Sequence, residues 1–235
     1  MKTNKTAVSA LLGIIAGASL LAQQAMAGVI TAGDFATGVN SQMLDGGFVH
    51  AQSHGGKFMG KTVAGYYGIG VSGNRTPGEI DIGQSISLTF ADSVTIDSFT
   101  LAFLFNGPEF RDVFEIAQVG VYDGSSWQYG TLSATANDGL ANWNFGGTST
   151  VIGALDPAVL GGAALWEVTL GFGDLEVSAI DFTALYSNEC FKRSCSNQSD
   201  YSLGEVSYTA VPEPSNIALL AIGLAALGLA RRRAA

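Results

Sequence analysis

Through the middle of this chain, hydrophobic and polar residues alternate in short runs with a period of two. Residues 85–90 set Ile86, Leu88 and Phe90 against Ser85, Ser87 and Thr89, which predicts a half-buried strand with one wet face. Val94 and Ile96 begin another strand on even positions, but Phe99, Leu101, Phe103 and Phe105 continue on odd ones. A period of two cannot change parity without an extra residue, so a bulge or bend is expected near Asp97-Ser98. Residues 101–105 are apolar on both faces and predict a central strand. Residues 114–122 and 127–132 flank Asp123-Gly124-Ser125-Ser126, a hairpin turn. Farther on, Trp166, Val168, Leu170 and Phe172 share one predicted face, and Ile180, Phe182 and Ala184 share another after Gly173-Asp174. Residues 203–209 form a closing strand, and the one helical stretch expected is a brief one near Pro157 and Leu160.

Many short strands separated by turns predict an all-β fold of two stacked antiparallel sheets, a β-sandwich of the jelly-roll kind. No fixed-period repeat is present, which disfavours a solenoid or propeller. Amphipathic helices of 10–15 residues between strands, which an α/β fold needs, are missing from the pattern.

The pattern changes at both ends. Lys2 and Lys5 precede an apolar stretch over residues 7–22, and Ala25-Met26-Ala27 supplies small residues about a processing point. This is the plan of a secretory signal peptide, residues 1–27, with cleavage expected between Ala27 and Gly28; the alternative is an uncleaved anchor. At the other end Val211-Pro212-Glu213-Pro214-Ser215 leads into an uncharged apolar run bounded by Ile217 and Ala230, followed by Arg231, Arg232 and Arg233. As a helix the run spans about 21 Å, short of the roughly 30 Å hydrocarbon core. The arginines can snorkel to cytoplasmic headgroups, so the run reads as a transmembrane helix with a basic anchor. Residues 28–210 remain as one domain, of a size suited to one core.

This tail resembles the PEP-CTERM sorting signal of Gram-negative bacteria: a Pro-Glu-Pro neck, a short apolar helix and a terminal arginine cluster, in that order. The resemblance covers residues 211–235 only. It implies an inner-membrane intermediate processed near Pro-Glu-Pro by an exosortase, a membrane-embedded transpeptidase-like enzyme, after signal peptidase has acted at the other end. It further implies display at the cell surface or release outside the cell, and a link to exopolysaccharide and biofilm. The alternative is an ordinary C-terminal anchor with a proline-rich neck.

Removing both ends changes the charge. Six basic and nineteen acidic residues remain between Gly28 and Val211, a net charge of about −13. Such a domain repels nucleic acid and anionic membranes, so neither is expected as a partner. The acids are scattered and read mostly as a solvated surface. Cys190 and Cys195 are five apart in a chain bound for an oxidising compartment, and a disulfide is expected between them. A zinc site would need four ligands, with only His50 and His54 to add.

Candidate chemistry is sparse. His50 and His54 have the spacing that shares a helix face, but the flanking glycines do not support a helix. In an extended strand they would stand about 13 Å apart, too far to chelate one ion, so they are assigned to a loop and to no metal. Glu109, Asp112 and Glu115 cluster around Arg111. They could serve as a glycosidase acid pair or hold calcium, the one cofactor considered, though no calcium-loop motif is present. Trp127 and Trp143 sit beside turn residues and are the candidate carbohydrate contacts, with Tyr66, Tyr67 and Tyr129 as possible additions; Trp166 reads as core. No nucleophile elbow, H-E-x-x-H or phosphate-binding glycine loop occurs, and no catalytic residue is assigned. The sequence therefore points to an exported, non-enzymatic surface or matrix protein. The alternative is a secreted carbohydrate-binding module or carbohydrate-active enzyme.

Overall fold

The structure is a computed structural model that describes residues 26–106, 114–137, 139–157, 161–186 and 199–212, with Gly223 and Arg231 beyond them. Residues Met26–Val211 make one compact unit. Its strands begin with β1 (Ala27–Thr31), β2 (Ser41–Leu44), β3 (Val49–His54), β4 (Phe58–Val63) and β5 (Tyr66–Val71). The long β6 (Ser85–Ala102) is followed by β7 (Ile116–Tyr122), β8 (Trp127–Ala134), β9 (Leu140–Phe145) and β10 (Thr148–Asp156). The last three are β11 (Leu165–Thr169), β12 (Val177–Leu185) and β13 (Ser202–Ala210). Each pairing between these strands is antiparallel.

The expected all-β class holds, but the two separate sheets of a sandwich do not. Strands β6, β12, β7, β8, β9, β10 and β11 follow one another by hydrogen-bonded pairing, and β11 returns to β6, so seven strands close into a barrel. The physical reason lies in β6. Its first half, Ser85 to Thr89, pairs with β12 on one edge and with β3 on the other. Its second half pairs with β11, from Trp166↔Leu101 to Thr169↔Ser98, and with β13 on the opposite edge. Between Thr89 and Val94 the register against β12 breaks, and the strand bends there from one wall to the next. The hydrophobic pattern reads these halves as two separate strands. A single strand running through both joins the sheets and removes the edges a sandwich would leave. Outside the ring, β13 carries β1 and the β5–β4 hairpin, and β3 carries β2.

The expected bulge is present. Ser98 faces Ser207 and Ile96 faces Tyr208, so Asp97 is the extra residue. Val94 and Ile96 before it and Phe99 and Leu101 after it are thereby all buried. Phe99 is central, with its ring 5.3 Å from Trp143, 6.0 Å from Phe172 and 6.0 Å from Phe182. Trp166 is fully buried, as expected, and its indole N–H donates to the Leu104 carbonyl at 2.9 Å, which satisfies its one polar group. Leu170 departs from the expected face. Strand β11 ends at Thr169, Leu170 turns to φ +49° with its side chain 60 % exposed, and its N–H bonds the Asp97 carbonyl. Strand β6 likewise stops at Ala102, before the buried Phe103 and Leu104. Residues 158–160, within the expected helical stretch, lie outside the described residues.

Candidate functional site

Both ends of the domain leave the barrel side by side. Strand β1 pairs with β13 from Ala27↔Thr209 to Thr31↔Glu205, and the Ala210 N–H donates to the Met26 carbonyl at 2.7 Å. The Val211 N–H then donates to the Ser93 carbonyl, at the bend of β6. Pro212 has no N–H, so the ladder cannot run on, and the folded domain ends where the neck begins. Gly28, the expected new N-terminus, lies against Tyr208: a Cβ there would sit 2.4 Å from the ring. The Tyr208 hydroxyl donates to the Asp45 carboxylate, and burial followed by that carboxylate raises its pKa. Thus Gly28 is a position that the fold needs to be glycine.

Residues 1–25 of the expected signal peptide lie outside the described residues. So do Glu213, Pro214, Ser215, Ile217, Ala230, Arg232 and Arg233, while Gly223 and Arg231 have helical backbone. Among the described residues no helix is long and apolar enough to cross a membrane. Cys190 and Cys195 also fall outside them.

The aromatic candidates separate. Trp143 is a correction: it is 4 % exposed, lies over Gly130 inside the barrel, and donates its indole N–H to the Gly171 carbonyl at 2.9 Å. The turn residues beside it gave it the look of a surface residue, but on β9 it alternates with Asn142 and Asn144 and takes the buried face. Trp127 is 41 % exposed, as expected of it, and its ring is near-parallel to that of Tyr129, with centroids 6.3 Å apart. Tyr122, across the β7–β8 hairpin, stands 5.5 Å from Trp127. Tyr66 and Tyr67 are on β5 and take no part in this cluster. An open cleft of about 400 Å³ lies between the β9–β10 hairpin and the turn at Leu170 to Gly173, with Trp143, Phe145 and Thr150 in its wall. None of the described residues lining it carries a carboxylate.

His50 and His54 lie on β3 rather than in a loop, because Val49, Ala51 and Ser53 between them are buried and hold that strand in the alternating pattern. His50 Nε2 is 2.8 Å from Ser41 Oγ. Among the described residues no group of three metal-ligating side chains forms. Glu109, Arg111 and Asp112 lie outside those residues. Glu115 is buried and accepts from the Phe105 backbone N–H, a structural contact.

A buried acid cluster escapes the sequence pattern altogether. Glu79 is 2 % exposed; its Oε1 meets Lys61 Nζ at 2.9 Å, and its Oε2 has no donor. Asp200 is beside it, accepting from Thr76 Oγ1 at 2.7 Å, and the Thr76 N–H donates to Asp81. Desolvation, then the Asp200 charge, pushes the Glu79 carboxyl up to about 8, with Lys61 opposing. Burial raises Asp200 as well. A buried and a half-buried carboxyl side by side are satisfied when one holds a proton, and the upward shift favours the protonated form of Glu79. Glu79 and Asp81 alternate with Ile80 and Ile82, so the pattern reads them as a wet face. The loop folds back on itself instead, bridging Val71 to Glu79.

Residues 210–234 match the PEP-CTERM protein-sorting motif, beginning at the last residue of β13. No curated protein and no solved structure matches the chain. The motif implies an exported protein sorted and processed by exosortase.

Proposed function

We propose that this is a non-enzymatic protein of the cell surface or extracellular matrix, linked to exopolysaccharide and biofilm, for which exosortase processing is the delivery step. The observation that carries the reading is the abutment of the sorting motif on the folded domain. The motif starts at residue 210, and among the described residues the last backbone bond to the barrel is made by Val211. The compact unit itself closes at Val211, as a domain carrying a removable signal must. Signal peptidase acts at Ala27, the inner membrane holds the intermediate through residues 217–230, and the trimmed barrel leaves. A barrel with a packed core and an acidic surface suits a structural component of a hydrated layer. A carbohydrate-active enzyme would need two carboxylates across an aromatic cleft, and the cleft beside Trp143 lacks them in its described lining.

The test is mass spectrometry of both termini of the protein recovered from the cell surface or medium, combined with fractionation of the cells. Gly28 at the start and an end within the Pro-Glu-Pro neck support the reading. A surface form that retains Met1, or one that keeps residues 217–235, would sink it.

A further inference from the structure

Tyr122, Trp127 and Tyr129 occupy the outer face of the β7–β8 hairpin, and that face has the build of a ligand platform. Tyr129 faces Gly120 across the hairpin, and Tyr122 faces Trp127. A Cβ on Gly120 would lie 2.8 Å from Tyr129 and 3.3 Å from Trp127, so the missing side chain is what lets both rings settle against the sheet. Large rings left 41 % and 53 % exposed carry a hydration cost that the fold itself does not require. Held by one another and by the backbone, they offer rigid apolar area with little side-chain entropy to lose on binding.

The neighbouring row on the same face is polar and uncharged. Thr183, Gln118, Thr131 and Asn144 follow one another across β12, β7, β8 and β9. Near-parallel aromatic rings beside a row of hydroxyls and amides match a ligand with an apolar C–H face and many hydroxyl groups, which is the chemistry of a sugar ring. Charge selects among sugars. The described basic residues of the domain are Lys57, Lys61 and Arg75, on β4 and in the loops flanking the β4–β5 hairpin, and none is on β7, β8, β9 or β12. A polyanion, a nucleic acid strand or a second copy of this acidic domain would meet repulsion with no compensating cation on this face among the described residues.

We propose that the Tyr122–Trp127–Tyr129 face binds a neutral polysaccharide. The inference rests on the barrel face alone and stands apart from the route of export.

The exported protein, purified as it leaves the cell, is run by affinity electrophoresis through gels cast with four neutral polymers (laminarin, hydroxyethylcellulose, galactomannan and dextran) and with alginate. At least one neutral polymer is expected to retard it, and alginate is not. Trp127→Ala and Tyr129→Ala should each weaken that retardation roughly tenfold or more, and Trp127→Phe should keep most of it. Both positions are exposed, so the variants should melt as wild type does. Because Trp143 and Trp166 are buried, protection from acrylamide quenching by the bound polymer reports on Trp127 directly. The proposal is overturned if no neutral polymer retards the protein, if alginate retards it equally, or if both alanine variants bind as wild type. Self-association through this face without retardation overturns it too. A protein that reaches the surface and binds no glycan removes this inference alone, whereas one that binds glycan but keeps its tail removes the sorting proposal alone.

Discussion

Lys61 Nζ stands 2.9 Å from Glu79 Oε1, yet the Glu79 carboxyl is pushed up to about 8. Burial and the Asp200 carboxylate outweigh one lysine that is itself 30 % exposed. A carboxyl raised from 4.5 to about 8 binds its proton more tightly in the folded state than in the unfolded one. Between those values the folded protein carries the extra proton, so stability is greatest near pH 5, falls as the pH rises, and levels off above about 8. The loss from Glu79 alone is on the order of 4 kcal/mol. Asp200 and Asp181, both raised by burial, push in the same direction. Asp123, lowered by its bonds to the Ser125 and Ser126 turn, titrates below this window. Thermal melts from pH 5 to 8.5 should therefore show a falling Tm. Glu79→Gln should melt about 5 °C or more above wild type at pH 8.5 and close to it at pH 5. A wild-type Tm that is flat over this range would contradict the proton assignment.

Gly130 should be intolerant of any side chain. A Cβ there would lie 2.3 Å from the Trp143 ring, inside a barrel where Phe99 and Phe172 already fix that ring. Gly130→Ala is expected to cost about 1–3 kcal/mol, through overpacking. Gly153→Ala is the control, since a Cβ at Gly153 meets nothing within 4 Å. Denaturant midpoints of the two variants check the difference, and equal midpoints would place Trp143 elsewhere.

Deleting Asp97 tests the bulge. Without that residue either Val94 and Ile96 or Phe99 and Leu101 must turn outward, and the deletion variant should fail to fold. Asp97→Ala keeps the count and loses only the bond from Thr209 Oγ1 at 2.8 Å, so a loss of about 1 kcal/mol is expected. Solubility and circular dichroism of the two variants separate these outcomes.

This bulge was legible because parity is a local property, readable from Ile96 and Phe99 alone. Barrel closure was not, because it depends on Trp166 meeting Leu101 across more than sixty residues, and no local pattern encodes that pairing. Strand β10 was missed for another reason. From Thr148 to Val151 it is exposed throughout, so it lacks the alternation that marks a half-buried strand, and its Gly146-Gly147 turn was the one available signal. Among candidate contacts, Trp127 was placed by its neighbouring turn, whereas Trp143 was misread. Its surroundings are set by Gly130 and Gly171, each brought to it from another strand or turn.

The sorting tail yields the last prediction, which turns on where the fold stops. Val211 is bonded to Ser93, and Pro212 follows with no donor to extend the ladder. Pro212 and Pro214 also push the residues before them toward extended geometry, so the neck should present a stiff backbone to a processing enzyme. Replacing Pro212-Glu213-Pro214 with alanines leaves the Val211 bond to Ser93 in place. The barrel should fold with wild-type stability while the protein stays unprocessed and membrane-retained. Truncation before Ile217 removes the membrane hold instead, and should send a folded barrel to the periplasm without surface display. An ordinary anchor predicts otherwise: it needs the apolar run and the arginines but is indifferent to the neck. Immunoblots of fractionated cells, read with protease shaving of intact ones, distinguish the two. If the alanine variant is trimmed and displayed at the normal level, the neck carries no signal and the apolar run is simply an anchor.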